Sequence, residues 1–340
     1  MPLLALRCRR RPIAGGVVAA VTTTAALEDE AERALRAASE DATKEAEATL
    51  ANGVALAAPL AAAAPAAPPP NPIAPPVVFA ALAADSSRAL AATTSSPGKT
   101  FIRAVLSGCY IAFGGLIAVA VVGASPAIAA AGAPGLARLI FALVFPVGLY
   151  LNLAHGGELF TGQTMRCALA VLSKQSTLSQ LAQNWAVSFC GNLVGSLAIV
   201  ALVLASGVFA PSSPPAAFIA ATAQAKVALP FGEAVCRGVL ANWLVCLAVW
   251  NASAARNATD RFFAIWPPIA GFVAAGLEYS VANMFIAPLG LAVGAGGLDL
   301  ASFGHFLFAN LLPVTLGNAI AGAVVVAGVS HAVYGAPAAA

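Results

Sequence analysis

Beyond residue 100 the hydrophobic positions of this 340-residue chain stop alternating with polar ones and run together in long blocks. Six blocks, near 101–123, 138–162, 183–209, 228–253, 263–296 and 305–334, match the roughly 20 apolar residues that carry an α-helix across a bilayer. They predict an all-α membrane protein of six transmembrane helices. The second and fifth blocks are broken, each around a glutamate, at Gly156-Gly157-Glu158-Leu159-Phe160-Thr161-Gly162 and at Gly276-Leu277-Glu278-Tyr279-Ser280-Val281-Ala282-Asn283. Irregular backbone at membrane depth survives only where protein or a water-lined cavity satisfies its polar groups. Paired breaks in two halves of a chain therefore point to a permeation site.

The halves share further landmarks. Phe101-x-x-Ala104-Val105-x-x-Gly108 opens the first span, and Phe231-x-x-Ala234-Val235-x-x-Gly238 opens the fourth, 130 positions later. The two glutamates are 120 apart, and Asn184 with Gly191-Asn192 in the third span is matched by Asn310 with Gly317-Asn318 in the sixth, 126 apart. Three spans per copy is an odd number, so the second copy enters the membrane from the opposite side. A pair of inverted three-helix repeats is expected, with the second and fifth helices broken. Glycines at helical spacing, such as Gly108, Gly191 and Gly317, are read as close-packing positions.

Composition sharpens this picture. Apolar residues make up 60% of the chain and charged ones 9%, and eight of fourteen acidic residues lie between Glu28 and Glu47. Lys and Arg flanking the spans favour one side, with Arg88, Lys99, Arg103, Arg166, Lys174, Arg256 and Arg261 against Arg138 and Lys226. The positive-inside rule places both termini on the richer side. A net charge of +3 is too small and scattered for a nucleic-acid partner. Six cysteines without CxxC or Cys/His spacing read as packing residues, so neither a metal nor a cofactor is expected. His155-x-x-Glu158 lacks the second histidine of a metal site, and no nucleophile constellation accompanies it, so the chain is not read as an enzyme.

Residues 1–76 form a separate region. Arg7, Arg9, Arg10 and Arg11 in an acid-free stretch to residue 27 are similar to an organellar transit peptide. A secretory leader is the rival, but its apolar core would be interrupted by Gly15 and Gly16. Eight prolines between Pro59 and Pro76 predict an extended linker. Residues 77–97 hold a candidate surface amphipathic helix and a short linker, 98–334 the channel domain and 335–340 a tail.

The break at 157–162, the segment Asn242-Trp243-Leu244-Val245-Cys246-Leu247-Ala248-Val249-Trp250, Glu278 to Phe285, and Asn310-Leu311-Leu312-Pro313-Val314-Thr315-Leu316-Gly317-Asn318 resemble the formate/nitrite transporter family, from about residue 98 to 334. The resemblance implies an aquaporin-like six-helix protomer with its own pore, assembled as a homopentamer and passing small monovalent anions of weak acids. With the transit-like N terminus the chain is similar to the algal plastid branch, associated with nitrite and bicarbonate in the chloroplast inner envelope. Both termini would then be stromal. By position, Leu159, Phe160 and Thr161 match the loop that breaks the second helix, and Phe145 with Phe272 one constriction. Leu149 with Val245 match the apolar slit on the other side, Lys226 the family's lysine and Asn242 its fourth-helix asparagine. One residue departs: the family reads Glu-His-Ser in the fifth-helix loop, and this chain has Glu278-Tyr279-Ser280.

That departure bears on mechanism. A bare anion in hydrocarbon meets a penalty of tens of kcal/mol, so a pore must compensate its charge or protonate it. An acid of pKa near 4 is neutral less than about once in a thousand at neutral pH, and histidine, titrating near about 6.5, is a better donor than tyrosine near about 10. The expectation is an anion conducted with little proton coupling, stabilised by Lys226, Thr161, Asn283 and the Tyr279 hydroxyl. His155 is an alternative relay, and Glu158 and Glu278 are read as structural carboxylates turned from the pore and bonded to loop backbone, with Arg237 satisfying one of them. The alternatives are proton-coupled transport of formate or another short monocarboxylate, a neutral-solute aquaglyceroporin-like channel, and a structural membrane protein.

Overall fold

The computed structural model describes residues 72–335 and, before them, only Arg33, Glu40, Asp41, Thr43 and Lys44, which are helical. The transit-like segment, the proline linker and the tail from 336 lie outside the described residues. Residues 1–69 and 70–340 are two units, and the apolar spans belong to the second.

Ten helices organise this second unit: α1 Pro75–Ser95, α2 Pro97–Gly123, α3 Pro134–Ala154, α4 Phe160–Leu172, α5 Leu178–Ser206, α6 Pro214–Val227, α7 Phe231–Ala254, α8 Ala258–Ala274, α9 Ser280–Ala295 and α10 Leu300–Tyr334. A single turn, Pro126–Ala130, joins α2 to α3. Five of them (α2, α3, α5, α7 and α10) are long and apolar enough to cross a bilayer, and Ser280–Gly294 within α9 is a shorter apolar helix. The six expected spans appear as α2, α3 with α4, α5, α7, α8 with α9, and α10.

Several boundaries differ from those that hydropathy predicts, and two of them have a visible cause. The second span does not end at 162, because α4 runs on to Leu172 through Gln163, Thr164 and Arg166. These polar residues break the apolar run, but Gln163 and Thr164 are fully buried and hydrogen-bonded inside the protein. The third span starts earlier, at Leu178, because Thr177 and Gln180 form a reciprocal capping box.

Two helices flank the spans. Ser213 caps α6, whose prolines at the first positions suit a helix start; hydropathy alone assigns nothing to this stretch. α1 buries Val78, Phe79, Leu82 and Ala83 among Met165 and Leu169 of α4, Cys246 and Val249 of α7, and Val326 of α10. It is docked on the bundle along that face.

Small residues let the spans approach closely. A side chain on Gly191 of α5 would strike Ala104 and the Phe101 carbonyl of α2, and one on Gly317 of α10 would strike Gly238 and the Val235 carbonyl of α7. Where lipid removes the hydrophobic drive between helices, such contacts carry association. They also reset the register between the halves. Residues 101 and 104 correspond to 235 and 238, an offset of 134 instead of 130. The four-residue difference is about one helical turn, so the slipped alignment keeps the same face of the helix and the same small residues.

Candidate functional site

Each broken span bends at a glycine in left-handed conformation, Gly156 at φ 65° and Gly276 at φ 71°. Only glycine takes that backbone without strain. Two residues later each break carries its glutamate, 1% and 4% exposed. A buried carboxylate needs paired donors, and the side-chain amides of the two sets correspond residue by residue.

Glu158 accepts from Gln163 Nε2 at 2.5 Å and Asn184 Nδ2 at 2.9 Å, with Arg103 at 3.3 Å. Glu278 accepts from Asn283 Nδ2 at 2.6 Å, Asn310 Nδ2 at 3.3 Å and Lys226 Nζ at 2.8 Å. The glutamate backbones repeat the match: Glu158 N–H donates to the Arg103 carbonyl and Glu278 N–H to the Arg237 carbonyl. The carboxylates are therefore satisfied by side-chain amides and cations, where loop backbone was expected. The Arg237 side chain serves neither, since it pairs with Glu233 one turn before it at 3.0 Å. Lys226, expected to help stabilise the anion, is paired with Glu278.

Asn192 and Asn318 close the geometry of the half-helices. Asn192 Oδ1 accepts the Phe160 N–H at the start of α4, and Asn318 Oδ1 accepts the Ser280 N–H at the start of α9, both at 2.9 Å. Their amides donate to Ala104 and Glu158 carbonyls in one half and to Gly238 and Glu278 carbonyls in the other. One asparagine thus ties a half-helix start, a break and a neighbouring span. A π-helical turn at Leu307–Leu311 brackets Asn310, a local widening that often accompanies functional positions.

The two breaks meet at one contact. Thr161 Oγ1 and Tyr279 Oη share a hydrogen bond at 2.7 Å, both residues buried. Asn242 braces the threonine, its amide donating to the Thr161 carbonyl, Thr164 Oγ1 and the Asn318 carbonyl. On one side of this contact Tyr279 packs on Phe272 with centroids 5.4 Å apart, and Phe272 meets Phe145 edge-on at 6.1 Å. Outside these rings opens a cavity of about 450 Å³, lined in part by Arg138, Lys226, Arg237, Glu278, Tyr279 and Asn283. A second cavity, beside Asn152, Leu159, Gln163, Arg166 and Val249, measures only about 10 Å³, room for about one water. Leu149 and Val245 are buried in the main core.

Other expected site residues fall elsewhere. Phe160 packs edge-on against Trp185 and Phe189 of α5. The Ser280 hydroxyl is buried without a hydrogen-bond partner. His155 ends α3 on the exposed side, its Nδ1 3.0 Å from the Leu151 carbonyl and its ring on Tyr110, and it lines neither cavity. Hydropathy does not reveal Gln163 or the pairing role of Arg103, although Gln163 and Asn283 both stand five residues after their glutamate. Arg138 entered the sequence argument only through topology.

Comparisons with known proteins find relatives in sequence and in fold. The family model described as Formate/nitrite transporter matches residues 79–332. The chain is 41% identical over 248 residues to the probable formate transporter of Methanothermobacter thermautotrophicus, spanning 68% of this chain and 86% of that protein. It is 36% identical over 251 residues to the formate channel FocA of Escherichia coli, spanning 68% and 85%. It is 34% identical over 246 residues to the nitrite transporter NirC of Salmonella typhimurium, spanning 71% and 86%. Among solved structures, an FNT family ion channel superimposes with TM-score 0.65 at 30% identity, covering 77% of this chain and 99% of that one. A pentameric formate channel with formate bound gives 0.61 at 31%, covering 72% and 99%.

Proposed function

The chain belongs to the formate/nitrite transporter family, and from that premise we propose that it is a homopentameric channel for small monovalent anions, nitrite or bicarbonate before formate, in the chloroplast inner envelope with both termini stromal. Each protomer holds its own pore, built from two inverted three-helix repeats that bring the starts of α4 and α9 toward one another. The pore runs from the 450 Å³ vestibule past Phe145 and Phe272 to Thr161 and Tyr279, then past Leu149 and Val245 to the narrow side.

The observation that carries this reading is the Thr161–Tyr279 hydrogen bond at 2.7 Å. It puts two hydroxyls, either of which can donate to an anion while the other holds the bond between them, behind an aromatic constriction and at the positive N-terminal ends of two half-helices. A phenol at that place stabilises charge without supplying a proton near neutral pH. The anion therefore crosses charged, with weak proton coupling. The organelle assignment is supported by the arginine-rich, acid-free N terminus, and pentamer assembly by the likeness to the pentameric formate channel.

The test is anion flux into proteoliposomes of the full chain, comparing nitrite, bicarbonate and formate between about pH 6 and about pH 8. Nitrite or bicarbonate flux that changes little over this range is expected, and Tyr279→His adds an acid-enhanced component. Parent flux that climbs steeply with acid would mean permeation as the neutral species and would overturn the uncoupled reading.

A further inference from the structure

The wide vestibule is lined by three cations, Arg138, Lys226 and Arg237, and two of them are neutralised locally. Lys226 is 2.8 Å from Glu278 and Arg237 is 3.0 Å from Glu233. Arg138 makes no ion pair or hydrogen bond among the described residues, and it is exposed near the start of α3. Three cations less two acids leave one net positive charge, and its location is the Arg138 guanidinium.

The two halves of the molecule explain why that charge is left over. At the first break an arginine sits on the left-handed glycine and serves the glutamate: Arg103 Nε donates to the Gly156 carbonyl at 2.8 Å and its Nη2 lies 3.3 Å from Glu158. At the second break an arginine also stands over the left-handed glycine, with Arg138 Nη1 3.7 Å from the place a Cβ on Gly276 would take. There the glutamate has already taken Lys226 from α6. Arg138 comes from α3 and is not the counterpart of Arg103, a place held by Arg237; with Lys226 already on Glu278 it is left without an anionic partner among the described residues and lines the vestibule.

We infer that Arg138 is the anion-recruiting residue of this pore, with Lys226 serving to hold the second break. The inference rests on the anion-channel reading above. A fixed charge in a concave, apolar-walled mouth raises the local concentration of counter-ions and speeds their capture, and salt screens the effect. It acts on capture and not on passage through the Thr161–Tyr279 contact, so it alters flux at low substrate and leaves the saturating rate unchanged.

The experiment measures nitrite flux in proteoliposomes of the parent, Arg138→Gln, Arg138→Glu and Arg138→Lys, at low and at about 1 M salt, where the screening length falls to about 3 Å. At low salt and sub-saturating nitrite, Arg138→Gln is expected to lose about threefold and Arg138→Glu about tenfold. Arg138→Lys keeps parent behaviour, all four converge at high salt, and saturating rates agree throughout. Parent flux with no response to Arg138→Glu would overturn the inference alone. So would a loss shared by Arg138→Lys, or one that persists at high salt or appears in the saturating rate. A parent chain that passes no anion would overturn the channel reading and this inference with it.

Discussion

Glu158 and Glu278 occupy corresponding breaks and accept from corresponding amides, yet their cations differ in kind. Arg103, side chain 49% exposed, reaches Glu158 at 3.3 Å and shares itself with the Gly156 carbonyl. Lys226, side chain 14% exposed, is committed to Glu278 at 2.8 Å. The first carboxylate sits against a solvated guanidinium at the surface, and the second belongs to a desolvated pair. Equal topology therefore does not mean equal energetics. In the second half the ion pair is structural, and the vestibule takes its charge from another residue.

The largest expected effect comes from that contrast. Removing one partner of a buried pair strands the other charge at a cost of about 3–5 kcal/mol; Arg103→Met also leaves a buried carboxylate, but its guanidinium is half-exposed and screened by water, so it contributes less. Lys226→Met should therefore lower the thermal midpoint of the detergent-solubilised protein far more than Arg103→Met. Adding Glu278→Gln to Lys226→Met should recover much of the loss. Equal losses for the two single variants would show that the two pairs are energetically alike and would remove the basis for treating Lys226 as structural.

Much of this arrangement is legible in the amino-acid sequence. The two breaks, their glutamates and the four asparagines stand out because polar residues are scarce in these spans and recur in order. Other parts are hidden for physical reasons. Hydropathy counts Gln163 and Arg166 against a membrane helix, since it cannot register that the Gln163 amide has a carboxylate waiting for it; it therefore cuts α4 short. Sequence matching sets the register between α2 and α7 one turn off, because a four-residue slide preserves the face of small residues. The Lys226–Glu278 pair joins residues 52 apart, beyond any local spacing rule. The charge argument from sequence gives Lys226 a part in stabilising the anion, while Arg138, which makes no such pair among the described residues, counts only toward topology.

A smaller effect tests where the halves should agree. Asn192 and Asn318 each accept the first N–H of a half-helix and donate to a neighbouring span, and both are fully buried. Replacing either by alanine orphans a buried backbone N–H and carbonyls, at about 1–3 kcal/mol for each unsatisfied group. Thermal midpoints of Asn192→Ala and Asn318→Ala should fall by similar amounts. A large inequality would mean that the shared hydrogen-bond pattern conceals different packing, and the correspondence at an offset of 126 would lose its energetic meaning.

The smallest effect concerns the helix starts of the third and sixth spans. Thr177 caps α5 through a hydroxyl and the Gln180 amide, groups that do not titrate. Asp299 caps α10 by accepting the Ser302 N–H at 2.6 Å, and hydrogen bonds from the Ser302 backbone and side chain hold its carboxyl below the usual carboxylate range. A carboxyl so depressed stabilises the folded state above its unfolded pKa, and that contribution is lost as pH falls through the folded value. Acid should therefore loosen only one of the two helix starts. Amide hydrogen exchange followed from neutral pH down to about pH 3, with correction for intrinsic rates, should show protection falling at Ala301–Phe303 and holding at Ser179–Leu181. Asp299→Asn keeps a capping acceptor without a titrating group, so it should make the two starts respond alike. Loss of protection at both starts in the parent would place the acid sensitivity in the bundle as a whole, outside this cap.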